Sequence, residues 1–189
     1  MDPITLLKND HKTVEELFKK FEQAGDRANK TKRRLVDEIM TELSIHAAIE
    51  EQVFYPATRE ARQETEEMVL EALEEHHLVK LALSELEKMD PEDERFTPKV
   101  TVLIENVRHH VKEEEGEMFL KVRKAMKPKQ LEALGEQLEE AKKSAPTRPH
   151  PAAPDEPPGN MIAGGVAAVM DAGKDAIRGV KEEIGRRRS

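Results

Sequence analysis

The sequence predicts an all-α protein: an antiparallel up-down four-helix bundle with a short fifth helix, then a Pro-rich linker and an amphipathic tail. Three observations carry this. Charged residues make up 37% of the chain and aromatics 3%, with no Trp and one Tyr, which is the composition of helices rather than of sheets. Apolar residues recur at alternating steps of three and four over four long stretches. The connections between those stretches are short, which favours antiparallel neighbours.

Asp2-Pro3 supplies an N-cap and a proline at the first helical position. From there Ile4, Leu7, His11, Val14, Phe18 and Phe21 share one stripe, ending near Ala24-Gly25-Asp26. A second helix opens around Thr31 with Leu35, Ile39, Leu43, His46, Glu50 and Val53 in register, and Pro56 is expected to kink or end it. The third, roughly Glu64 to Met89, carries Val69, Ala72, His76, Val79, Leu83 and Leu86 before Asp90-Pro91 stops it. Thr97-Pro98 starts the fourth, with Val100, Leu103, Val107, His110, Glu114 and Met118. A short fifth helix follows Pro128 and bears Leu131, Leu134 and Leu138.

The domain division follows composition. Residues 1–143 form the bundle. Residues 144–160 hold six of the eleven prolines and read as a semi-rigid linker. Residues 161–189 place Ile162, Val166, Val169, Gly173, Ile177, Val180 and Ile184 on one stripe and close on Arg186-Arg187-Arg188. This tail reads as a partly disordered segment that folds on meeting an apolar groove. Weak attachment to a membrane surface is the alternative contact.

The polar residues on the apolar stripes point to chemistry. One His interrupts each stripe, and the second and fourth helices add a Glu one turn later. The two halves repeat: His11 to His76 spans 65 residues, and both His46 to His110 and Glu50 to Glu114 span 64. Duplication of a helical hairpin leaves such an offset. Buried carboxylates without partners cost several kcal/mol. Two carboxylates and four imidazoles in place of Leu therefore point to cations, which offset the charge. Imidazole nitrogen with carboxylate oxygen suits iron, manganese or zinc, and carboxylates that bridge suit a pair of ions. His77 and His109 neighbour stripe positions and read as flanking residues, with His77 the alternative to His76 on the third helix.

Other classes fall away. The absence of Cys excludes disulfides, Cys-ligated zinc and iron–sulfur clusters. A net charge of −8 argues against nucleic acid as a partner. The start lacks the pattern of a signal peptide and no apolar run reaches membrane-spanning length, so the cytoplasm is expected. A ferritin-like oxidase needs Glu-x-x-His on two helices, and only Glu74-x-x-His77 occurs. A metalloprotease His-Glu-x-x-His is absent.

The stretches NDHKTVEELF, SIHAAIEEQVFYP, EEHHLVKLAL and RHHVKEEEGEMF, over roughly residues 1–125, resemble the hemerythrin-like (HHE cation-binding) domains. That resemblance implies an oxygen-reactive centre of two non-haem irons, oxo- or hydroxo-bridged. Its ligands would be His11, His46, Glu50, His76, His110 and Glu114, with Glu50 and Glu114 bridging. The function expected is reaction with, or sensing of, dioxygen, peroxide or nitric oxide, with peroxide consumption as the enzymatic form. The alternative is iron homeostasis or iron-centre repair without turnover. One departure stands out. Oxygen carriers of the family place a fifth His one turn after the His of the third helix, where this chain has Lys80. An ammonium does not ligate and is costly beside a cationic centre, so Lys80 is expected neutral or turned outward.

Overall fold

Asp2 sets the first helix: its carboxylate accepts from the Thr5 backbone N–H at 3.0 Å, and Pro3 follows at the first helical position. The structure, a computed structural model, describes residues 1–161, 163–165 and 167–171. The long helices are α1 (Pro3–Gln23), α2 (Asn29–Ile49), α4 (Glu66–Lys88) and α5 (Phe96–Glu113). Each of α2 and α5 runs through a π turn, Glu50–Phe54 or Glu114–Met118, into a short helix, α3 (Tyr55–Ala61) or α6 (Phe119–Ala125). A 3₁₀ turn, Gln63–Thr65, leads into α4, and α7 (Pro128–Lys143) is the expected fifth helix. The described residues contain no strand.

The apolar core falls into two clusters; α1, α2 and α4 each cross from one to the other, and α5 reaches the second through the π turn that follows it. Val14, Phe18, Leu43, Leu83 and Leu103 belong to one cluster; Leu7, Ile49, Val69, Met118 and Leu138 belong to the other. Chain order reverses between successive long helices, which is the up-down arrangement the stripes required. His11, His46, His76 and His110 occupy the crossing points between the clusters, so a polar layer divides the core at mid-height. Helix α7 lays Leu131, Leu134 and Leu138 over the second cluster and closes that end of the bundle.

Two details depart from the expected stripes. Pro56 does not end its helix, which continues to Ala61 behind the π turn Glu50–Phe54. A proline in a regular helix collides with the carbonyl four residues back, and the wider turn sits across that interval. The second half has Leu120 at the place of Pro56 and still forms its π turn, so the proline is not the shared cause. The shared feature is a buried Glu at the start, Glu50 or Glu114. Inserting a residue into the turn also rotates the helix beyond it. Phe54 and Tyr55 face the core, while Val53, expected on the stripe, is half-buried.

Residues 144–158 have no regular helix and run back along the bundle, tied by Arg148–Glu87 at 3.2 Å and Arg59–Glu156 at 2.8 Å. Buried Asp171 accepts from the backbone N–H groups of Thr147 and Arg148, each at 3.1 Å. Of the expected tail stripe, Val169 is exposed, and Ile162, Val166, Gly173, Ile177, Val180 and Ile184 lie outside the described residues. Among the described residues no helix is long and apolar enough to cross a membrane.

Because Leu138 is fully buried where α7 meets the bundle, Leu138→Ala is expected to lower stability by about 2–5 kcal/mol. Urea unfolding at unchanged m checks this; a loss below about 0.5 kcal/mol would mean that α7 is not part of the cooperative unit.

Candidate metal centre

All six sequence-predicted residues meet in the polar layer. The Nε2 atoms of His11 and His46 lie 3.1 Å apart, and those of His76 and His110 lie 3.2 Å apart. Glu50 Oε2 is 3.1 Å from His46 Nε2 and 3.4 Å from His76 Nε2, so it stands between the two pairs. Glu114 Oε2 does the same from the other side, 3.3 Å from His11 and 3.4 Å from His110. All six side chains are buried. Two groups with metal-ligand geometry result, one of His11, His46, Glu50 and Glu114 and one of Glu50, His76 and His110. His77 turns away, with Nδ1 3.4 Å from Asp155, and His109 is exposed beside Glu113.

The outer nitrogens explain the convergence. His11 Nδ1 sits 2.9 Å from Glu115, His76 Nδ1 3.1 Å from Glu51, and His110 Nδ1 2.7 Å from Glu75. A carboxylate only accepts, so each of these Nδ1 atoms carries the proton and leaves Nε2 as a lone pair directed inward. Asp10 approaches His46 Nδ1 less closely, at 3.8 Å. Stripe positions alone do not reveal these four carboxylates, although the sequence carries a signal for them. Asp10 and Glu75 each precede a single His and lie 65 apart; Glu51 and Glu115 each follow a paired Glu and lie 64 apart. They belong to the same duplication as the six inner residues.

The halves differ at one buried position. Tyr55 donates to Glu114 Oε1 at 2.9 Å and stands 3.2 Å from His76 Nε2. Its counterpart Phe119 instead lies parallel to the His11 ring at 5.8 Å between centroids. Burial pushes the Tyr55 phenol well up, and the charges of Glu114 and Glu50 push it further.

Lys80 corrects an expectation. It is buried rather than turned outward: its amine donates to both oxygens of Glu51, at 3.0 and 3.1 Å, and to Asp155. A second carboxylate from the returning chain makes that burial tolerable. Lys80 thus addresses the carboxylate that orients His76 and not the ring nitrogens.

The residues fit a pair of cations. Glu50 Oε1 is buried with no hydrogen-bond partner, and so is Glu114 Oε2. Buried carboxylate oxygens are rarely left so. Opposed imidazole lone pairs at about 3 Å repel, and an intervening ion removes that repulsion. A helical bundle enclosing such a donor set is a cation-binding protein. The hemerythrin HHE cation-binding domain family matches residues 2–122, and the chain belongs to that family. A hemerythrin-like protein of Schizosaccharomyces pombe is 30% identical over 89% of this chain and 82% of its own length. A DNA nickase of Nostoc is 27% identical over 72% of this chain but only 38% of its own length. The crystal structure of a hemerythrin HHE cation-binding domain-containing protein from Mycobacterium kansasii superposes with a TM-score of 0.64 at 26% identity, covering 76% of this chain and 89% of that one.

Without cations the site holds protons instead. Burial alone would lower His110, but the charge of Glu114, 3.4 Å away, and the bond to Glu75 raise it well above 6.5. His11 and His76 are raised for like reasons, by Glu114 and by Glu50 and Glu51. Glu114, which burial would raise, is held well below 4.5 by His110 and His11. Raised His values contribute stability that is complete below 6.5 and lost as pH rises through the folded values. The lowered Glu114 contributes stability present above 4.5 and lost as pH falls. The metal-free chain should therefore lose stability as pH climbs above 6.5, and cation binding there should release protons. Calorimetric titration in buffers of differing ionisation enthalpy measures that release; no dependence on the buffer would contradict it.

Glu51→Ala removes the acceptor of the His76 Nδ1 proton. It should weaken metal binding about 10–100-fold while leaving helicity unchanged, as competition with a chelator would report.

Proposed function

We propose that this chain holds two non-haem iron ions and reacts with or senses dioxygen, peroxide or nitric oxide. The observation that carries the reading is the set of four Nε2 lone pairs aimed inward, three of them fixed by a carboxylate on the opposite ring nitrogen. His11, His46, His76 and His110 would be terminal ligands, with Glu50 and Glu114 shared between the ions, as their placement between the pairs supports. Iron, when bound, supplies the electrons exchanged with such a small ligand.

The protein's own groups have distinct tasks in this reading. Glu51, Glu75 and Glu115 hold the imidazole tautomers and keep the Nε2 atoms available. Tyr55 holds a proton at its hydroxyl toward Glu114, 2.9 Å from its Oε1. The two apolar clusters close the layer above and below. Lys80, paired with Glu51, stands where oxygen carriers of the family have a fifth imidazole. A centre short of one ligand favours chemistry or sensing over reversible carriage. The activity named for the Nostoc relative belongs to a protein of which this chain matches a minor part, and a net charge of −8 opposes duplex binding.

Metal analysis of the purified chain with an optical spectrum in air tests the proposal: two irons per chain and a charge-transfer band are expected. Glu50→Ala and Glu114→Ala should each reduce iron to one or none per chain while circular dichroism stays helical. Two tightly held irons in Glu114→Ala would overturn the ligand assignment. Iron held without any reaction toward peroxide, dioxygen or nitric oxide would favour iron homeostasis instead.

A further inference from the structure

Duplication gives the bundle two equivalent seams beside the polar layer, and the chain treats them differently. The seam between α2 and α4 is filled by Lys80 and Glu51 and covered by returning residues that include Pro146, Arg148 and Pro154, leaving a space of about 40 Å³. The seam between α1 and α5 has no such cover among the described residues. It holds a cavity of about 630 Å³ that reaches His11, His46, His76 and His110. At about 30 Å³ per water, this is room for roughly twenty waters, well beyond what a diatomic ligand or a peroxide needs. It falls within the size range of sites for organic ligands.

The lining is sorted by polarity. Val14, Phe18, Leu43, Val79, Val107 and Val111 form an apolar wall. Lys8, Lys12, Arg108 and Lys112 are exposed at the rim, against Glu15 and Glu115. Both acids are already engaged. Glu15 is held by the Arg108 guanidinium at 2.9 and 3.0 Å, and Glu115 by Lys8 at 3.2 Å and by His11. Among the described residues Lys12 and Lys112 have no ion-pair partner. A cationic rim over an apolar chamber, on a chain of net charge −8, is a specific arrangement.

We infer that this cavity binds an organic monocarboxylate with a single unbranched apolar chain, such as a medium-chain fatty acid. The carboxylate lies at Lys12 and Lys112, and the chain runs along Phe18, Leu43 and Val107 beside the histidines. The chamber is formed by the protein alone, so binding does not depend on bound iron and goes beyond the function proposed above.

Isothermal titration of the full-length protein, iron-free and iron-loaded, with decanoate, octanoate and decylammonium tests this. Decanoate is expected to bind one per chain in both forms. Octanoate, two methylenes shorter, should bind about fifteenfold more weakly, and decylammonium should not bind. Joint Lys12→Glu and Lys112→Glu substitution should weaken decanoate at least tenfold without changing helicity or iron content. Val111→Phe, which fills the chamber and leaves its charge intact, should weaken it as well. Failure of decanoate to bind, equal affinity for the two chain lengths, or equal binding of the ammonium would each overturn the inference.

Discussion

The central constraint on this fold is the burial of four imidazoles and two carboxylates at the middle of a bundle, with their donor atoms turned toward one another. Every long helix gives up an apolar position to this layer, and the core is split into two clusters because of it. Each uncompensated buried charge costs several kcal/mol, which is a large share of a domain's net stability. In the cation-free chain protons on the imidazoles relieve part of the conflict, which is why the histidine values rise and that of Glu114 falls. The proposed cations relieve it more completely, since they also meet the unpartnered Glu50 Oε1.

Much of the remaining structure serves to hold that layer in place. The two π turns begin at Glu50 and Glu114, the residues standing between the histidine pairs. Such widened turns are frequent at functional sites. Here they let a buried carboxylate and the following pair, Phe54-Tyr55 or Met118-Phe119, face inward together, which a regular helix of 3.6 residues per turn does not allow for Glu50, Phe54 and Tyr55 at once. The outer carboxylates extend the same logic. Each inner hairpin supplies acceptors that fix imidazoles on neighbouring helices, so the tautomers depend on the packing of all four helices.

The 64-residue repeat gives the layer near two-fold symmetry, and its two sides have different surroundings. Tyr55 corresponds to Phe119 at the 64-residue offset, and Lys80 to Glu15 at the 65-residue offset. Lys80 draws Asp155 of the returning segment onto one seam. Glu15 draws Arg108 across the other as a surface clasp and leaves a chamber beneath. One side of the centre is thus sealed by the protein's own chain and the other remains accessible.

Hydrophobic periodicity placed the helices and the inward residues, with His77 left as the alternative to His76, because a His or Glu on an apolar stripe must be buried wherever that stripe packs. The short connections gave the antiparallel order. The repeat of His11 and His76, and of Glu50 and Glu114, made their convergence legible without coordinates. Tertiary structure decided what periodicity cannot encode. Stripe counting assumes a constant turn, so it put Val53 inward and missed the π turn that exchanges it for Phe54 and Tyr55. Asp10, Glu51, Glu75 and Glu115 look like ordinary surface acids in a chain with 39 Asp and Glu, and only the approach of neighbouring helices assigns them to imidazole nitrogens. The second partner of Lys80, Asp155, lies 75 residues away in a segment whose composition reads as a spacer. Pairing across such a distance depends on where the chain returns, and a local pattern carries no record of that.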